Sequence, residues 1–155
     1  MKDEAIPDIG DLNSNGKCPD FPDIPVSAGP VIGLGIDIVA RERVERMLEN
    51  HSDRFLKRCF TPDEREYCMA RPDPVPDLAV RLAVKEACFK AIGGRRGMGL
   101  SWRDFEVVMD EQSVPWLRLN DDAAGRAEEI GVGKVWISLT HEDLWSAAVV
   151  VLTGI

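Results

Sequence analysis

What this 155-residue sequence lacks narrows it first. It has two histidines, His51 and His141, and four cysteines, Cys18, Cys59, Cys68 and Cys88, with no C-x-x-C spacing. That set is too poor for a zinc site, and reduced thiols in a cytoplasmic chain are the expectation. There is no basic excess: 19 Lys+Arg stand against 27 Asp+Glu, for a net charge of -8. This opposes a general nucleic-acid binder and disfavours adhesion to anionic membranes, although a local basic patch remains compatible with it. Long hydrophobic runs are missing as well. The most apolar stretch, Leu144 to Leu152, is interrupted by Ser146 and is far too short to span a bilayer. The first residues lack the charged-then-apolar pattern of a signal peptide. With 45% apolar residues, one domain can bury a core without disulfides.

Two regions differ in composition. Residues 1–30 hold five of the ten prolines, with six acidic residues against two basic ones and no helical or strand period. They read as a flexible acidic tail. Residues 31–155 read as the folded domain. Val31 to Val39 is a β-branched run expected to form a buried strand. Ala40 to Leu48 has apolar residues at helical spacing, and a second short helix should carry Phe55 and Leu56. Thr61-Pro62-Asp63-Glu64 is a helix start with a capping box. A longer helix is expected over Asp77 to Ile92, capped by Asp77 and closed by Gly93-Gly94. Phe105–Met109 and Trp116–Leu119 read as strands, and a helix should follow from Asn120-Asp121 to about Ile130. Val135–Leu139 and Leu144–Leu152 read as a final strand pair around Thr140-His141-Glu142-Asp143. The fold class is α+β, with a mostly antiparallel sheet. Trp102, Trp116, Trp136 and Trp145 are spread out and are assigned to the core.

Two anomalies point to chemistry. Asp37 interrupts the apolar run Ile36-Asp37-Ile38, where a carboxylate is costly unless paired, hydrogen-bonded or bound to a metal. The plain alternative is that it ends the strand and caps the next helix. The helix Leu78 to Ile92 is otherwise apolar but carries Arg81, Lys85, Glu86 and Lys90. At about 100° per residue, Arg81 and Lys85 share one stripe, and Glu86 and Lys90 share another. Glu86 and Lys90 could be a surface i, i+4 pair. Confinement of charge to two stripes instead suggests a lined cleft. Two carboxylates, Asp37 and Glu86, with lysines nearby describe a Mg2+–phosphate site. The loop Gly93-Gly-Arg-Arg-Gly-Met-Gly99 would let backbone approach a ligand, although helix ends are commonly glycine-rich. His141 lies in a polar turn, where a solvated residue is the commoner outcome.

Gly33-Leu-Gly-Ile-Asp-Ile-Val39, Arg81-Leu-Ala-Val-Lys-Glu-Ala-Cys-Phe-Lys-Ala-Ile-Gly93 and Ser138-Leu-Thr-His-Glu142 occur in this order. Together they resemble the short, holo-[acyl-carrier-protein] synthase class of 4'-phosphopantetheinyl transferases, from about Val31 to the C-terminus. The resemblance implies transfer of the phosphopantetheine arm of coenzyme A to a serine of apo acyl carrier protein, in support of fatty acid or polyketide synthesis. It implies Asp37 and Glu86 as Mg2+ ligands and Lys90 on the diphosphate. Coenzyme A contacts fall on the segments of Lys85, Lys90, Gly93, Ser138 and His141. Glu86, directly or through a metal-bound water, is the implied base. A homotrimer with sites between subunits is also implied. The chain departs from the family at Leu82, where Phe or Trp is common, and at Gly93-Gly-Arg-Arg, where a Gly-Thr-Gly-like loop is common.

Carrier proteins are acidic, so a docking synthase needs local positive charge. Residues 41–58 carry six basic against four acidic residues. The resemblance assigns docking to Arg43, Met47, Arg54 and Phe55; a solvated helix laced with pairs such as Glu42–Arg46 is the alternative. Two further readings compete with the enzyme. A catalytically silent coenzyme A or carrier-binding module is disfavoured by the joint presence of Asp37, Glu86 and Lys90. A generic Mg2+-dependent nucleotide hydrolase lacks a motif to position an attacking water.

Overall fold

A computed structural model describes residues 29–155. The flexible-tail expectation for residues 1–30 therefore lies outside the described residues, save for Gly29 and Pro30. The chain runs β1 (Val31–Ala40), α1 (Arg41–Cys59), α2 (Pro62–Met69) and α3 (Val75–Ala91). A short 3-10 turn (Trp102–Asp104) leads into β2 (Phe105–Met109) and β3 (Pro115–Leu119), then α4 (Asp121–Glu129), β4 (Val132–His141) and β5 (Trp145–Gly154). The α+β class with antiparallel pairing is as expected: β1–β5–β4 form one sheet and β2–β3 a second. No helix among the described residues is long and apolar enough to cross a membrane.

The three-stranded sheet has one covered and one open face, because strand side chains alternate. Val39, Ala148, Val150 and Leu152 point into the core against α3, whose Leu78 and Val84, with Ile92 just past its end, are fully or almost fully buried. Leu34, Ile36, Ile38 and Trp145 point the other way and are more than half exposed.

Glycine sets how closely α3 lies on β1. A Cβ on Gly35 would sit 1.9 Å from the Ala87 carbonyl oxygen, and one on Gly33 would sit 2.3 Å from that of Ala91. No side chain fits either gap. Bare strand backbone thus rests on a small-residue ridge of α3, which carries Asp37, two residues further along β1, to the flank of that helix.

Several local expectations change. The two helices foreseen after β1 are both present and follow one another within α1, divided by a kink at His51, whose φ/ψ of -146°/31° is non-helical. Asp77 does not cap α3. The helix starts two residues earlier, with Pro74 at its cap, and Asp73 Oδ1 accepts from Val75 N–H at 3.1 Å. Asp77 instead accepts from Arg81 Nη1 at 3.2 Å, one turn on. The capping box at Thr61 and Glu64 is present, and Gly93 takes φ +71° just past α3. The tryptophans are not all core residues: Trp116 and Trp145 are 43% and 54% exposed. Cys59, Cys68 and Cys88 are free and buried, and burial pushes the Cys68 and Cys88 thiols up to about 12. Cys18 lies outside the described residues.

Candidate active site

Asp37, Glu86 and Lys90 meet where β1 crosses α3. Lys90 Nζ donates to Asp37 Oδ1 at 2.7 Å and to the Ile36 carbonyl at 2.8 Å. Glu86 sits one turn earlier on the same helix face, and its Oε1 accepts from Arg43 Nη2 at 3.1 Å. The suspected Glu86–Lys90 surface pair is not what forms. Each residue reaches off its helix, to α1 and to β1 respectively. Two carboxylates and two cations therefore form one cluster.

The electrostatics are unbalanced at the carboxylates. Burial pushes the Glu86 carboxyl above the usual range, and the neighbouring Asp37 carboxyl pushes the same way, while Arg43 opposes both. Asp37 Oδ2 is buried without a hydrogen-bond partner. A buried, unpaired carboxylate oxygen is costly, and here it adjoins a second carboxylate of perturbed affinity for protons. Two hard oxygen donors converging in this way fit a divalent cation of the Mg2+ kind, which needs few protein ligands. No group of three or more metal-ligating side chains occurs among the described residues.

Lys85 does not join this cluster, against its expected place beside coenzyme A. Its side chain is fully buried on the opposite flank of α3, because a spacing of one residue turns it about 100° from Glu86. Its ammonium donates to Glu64 Oε2 at 2.8 Å, to the Trp102 carbonyl at 3.1 Å and to the Phe105 carbonyl. All three protons are thereby used. Burial pulls its pKa down, and Glu64 works against that. Arg81, on the same stripe, stacks over Tyr67 at 4.3 Å and is also buried. That stripe locks α3 to α2 and β2, and its Arg81 also lines a cavity of about 200 Å3 between them.

The network around Lys85 was missed at the level of residues. Glu64 accepts from Thr61 N–H and Val107 N–H besides Lys85. Glu106 accepts from Thr61 Oγ1, Arg118 and Asn120. Burial works to raise the Glu106 carboxyl, but these donors outweigh it and hold it below the usual range. The available signal was Glu106 itself, a carboxylate inside Phe105-Glu-Val-Val108, as anomalous as Asp37.

The remaining expected residues are dispersed. Gly93 marks the end of α3, and its loop carries the exposed Arg95 and Arg96. Ser138 and His141 are exposed on β4, an edge strand separated from β1 by β5. Ser138 lies opposite Val149, and Val149 opposite Ile36, which puts Ser138 on the open face and not on the Asp37 side. Of the docking residues, Arg43 is half exposed and held by Glu86, Arg54 is exposed and Met47 is partly buried. Phe55 is a core residue, edge-on to Phe60 at 5.5 Å between ring centres. It reaches the surface only as a wall of a cavity of about 330 Å3, shared with Met47, His51, Arg54, Arg58 and Trp102.

Known proteins resemble this chain over most of its length. The family model of the 4'-phosphopantetheinyl transferase superfamily matches residues 33–150. A holo-[acyl-carrier-protein] synthase of Syntrophotalea carbinolica is 39% identical over 122 residues, 79% of this chain and 95% of that protein. Among solved structures, a holo-[acyl-carrier-protein] synthase from Neisseria meningitidis superposes with a TM-score of 0.73 at 32% identity, covering 79% of this chain and 98% of that one. One from Bacillus anthracis, solved in complex with CoA (3',5'-ADP), gives 0.67 at 31% identity, covering 81% and 98%.

Proposed function

The chain belongs to the 4'-phosphopantetheinyl transferase superfamily, and on that premise we propose that it is a holo-[acyl-carrier-protein] synthase. Its reaction moves the phosphopantetheine arm of coenzyme A to a serine of apo acyl carrier protein. The product is holo carrier for fatty acid or polyketide synthesis in the cytoplasm. The observation that carries this reading is the convergence of Asp37, Glu86 and Lys90, with a buried Asp37 oxygen left unpaired. Relatives and neighbours named as synthases of this kind, one of them holding coenzyme A, support it.

The chemistry follows from the geometry. The carrier serine oxygen attacks the β-phosphorus of coenzyme A. The bond from that phosphorus to the bridging oxygen breaks, and adenosine 3',5'-bisphosphate leaves. Asp37 and Glu86 would hold Mg2+, which, when bound, supplies positive charge to the diphosphate. Lys90, anchored by Asp37 and the Ile36 carbonyl, places a fixed ammonium beside the leaving phosphate without reorganisation. Glu86 takes the serine proton. Lys85 holds α3 in the rotation that presents Glu86 and Lys90 to β1.

The same proposal includes a between-subunit arrangement for Ser138 and His141. They stand on β4, away from Asp37, while the open sheet face exposes Leu34, Ile36 and Ile38. A second and third copy covering that face would bury this apolar surface. The direct test is incubation with coenzyme A, Mg2+ and apo carrier, followed by intact mass. One phosphopantetheine added at the acceptor serine is expected; an unmodified carrier beside a coenzyme A-bound chain would leave a silent binding module.

A further inference from the structure

Two sheet edges lie side by side without pairing. Among the described residues β3 pairs only with β2, and β4 only with β5, although β3 and β4 are neighbours. A groove of about 430 Å3 opens between them and is flanked by α4. Leu117 and Ala127 are its buried residues, while Trp116 and Ile155 line it at 43% and 100% exposure. Stable domains cover open strand edges and contiguous apolar surface, so a groove that combines the two calls for an occupant.

The chain delivers one to this place. Gly154 N–H donates to the Pro30 carbonyl at 2.8 Å, and a Cβ on Gly29 would sit 2.3 Å from the Gly154 carbonyl oxygen. A Cβ on Gly133, which lines the groove, would sit 2.8 Å from that same oxygen. Residues 1–28 therefore join the fold beside the Gly154–Ile155 end of the groove. At about 3.3 Å per extended residue, Val26, Ile24 and Phe21 reach up to roughly 10, 17 and 26 Å from Gly29.

Those three are the apolar side chains of Asp20-Phe-Pro-Asp-Ile-Pro-Val26. Pro22 and Pro25 restrict the backbone before it binds, which lowers the ordering cost. They also lack N–H donors, so side chains and not a full strand ladder must hold the segment. Charge favours the same place. Residues 1–28 carry six acidic against two basic residues, and the groove presents Arg118 and Lys134 against Glu128. Arg118 is shared with Glu106 at 3.1 Å, while the exposed Lys134 lies over the Trp136 ring at 3.8 Å.

We propose that the chain's own residues 20–26 seat in the β3–β4 groove, with Phe21, Ile24 and Val26 against Trp116 and Ile155, and Asp20 and Asp23 toward Lys134 and Arg118. The inference is independent of the synthase reading. It turns a segment whose composition reads as a passive tail into a strap over the sheet edge.

The test is carbodiimide cross-linking of the full-length protein, which joins a carboxylate directly to an ammonium, followed by peptide mass spectrometry. The principal cross-link from residues 1–28 should join Asp20 or Asp23 to Lys134. It should run within one chain, in the band that migrates as a monomer on a denaturing gel. Phe21→Ser with Ile24→Ser keeps both carboxylates. This double variant should lose the cross-link at least about fivefold, because the apolar anchors and not the tether alone seat the segment. Its melting temperature should fall by roughly 2–6 °C. Trp116→Ser should lower the same cross-link from the groove side. Wild-type cross-linking and melting in the double variant would overturn the proposal by showing contact through charge and tethering only. A principal cross-link to Lys57 or Lys90 would place the segment on α1 or at the Asp37 cluster, and one found only between chains would make a second copy the occupant; either result would overturn it.

Discussion

At Glu86 folding and function pull in opposite directions. Burial and Asp37 raise its proton affinity, so the folded state favours the protonated acid. The stability gained from that preference is fully present below its ordinary value of 4.5 and is lost as pH rises through the raised folded value. Near neutral pH the ionised site therefore weakens the fold. Glu86→Gln removes the charge and keeps the shape, so thermal melting at about pH 7 should be equal to or above wild type, with the difference vanishing near pH 4. A variant that melts lower at pH 7 than at pH 4, relative to wild type, would reverse the assigned sign. Lys85 behaves oppositely under mutation. Lys85→Met strands the buried Glu64 carboxylate and should cost roughly 3–5 kcal/mol by chemical denaturation. Adding Glu64→Gln should restore much of that loss. Both singles leaving stability unchanged would contradict the bonded pair at 2.8 Å.

At the scale of elements, the site depends on how closely β1 lies on α3. Gly35→Ala places a methyl 1.9 Å from a backbone oxygen that cannot move aside. The strand must lift, which should cost about 1–3 kcal/mol as overpacking does. Transfer should fall further than stability alone explains, because Asp37 moves with the strand away from Glu86 and Lys90. A melting temperature and rate equal to wild type would show that the contact is not tight. These elements were largely legible in the residues. The capping box at Thr61 and the Gly93 stop are local signals and appear as read, whereas the β-branched run forms β1 but not a buried strand, because Leu34, Ile36 and Ile38 face outward from the sheet. The start of α3 differs from the sequence reading because Asp77 has the residue type of a cap, while the helix begins at Val75, whose N–H donates to the Asp73 carboxylate just before Pro74. Asp37, Glu86 and Lys90 stood out because charge is anomalous in apolar runs. The division of α3 into a functional and a locking stripe was visible as spacing. Which stripe was which was not, because it depends on Glu64 and Glu106 arriving from α2 and β2, a long-range pairing no local pattern encodes.

At the scale of the molecule, the open sheet face is the largest feature the single chain leaves unexplained by its own core. Leu34, Ile36 and Ile38 are 62%, 54% and 58% exposed in a row along β1. If copies cover this face and complete the site, Ile36→Asp should give a monomer by light scattering, with native circular dichroism and transfer lost. A fully active monomer would separate assembly from catalysis. The central claim is that the Asp37–Glu86–Lys90 cluster performs phosphopantetheinyl transfer. Its most direct test is the rate of carrier mass gain, measured side by side for wild type, Asp37→Asn and Glu86→Gln at saturating coenzyme A and Mg2+. Each variant should lose at least about 100-fold, the scale of removing a principal electrostatic stabiliser, while remaining folded. Transfer at near wild-type rate in both variants would contradict the account.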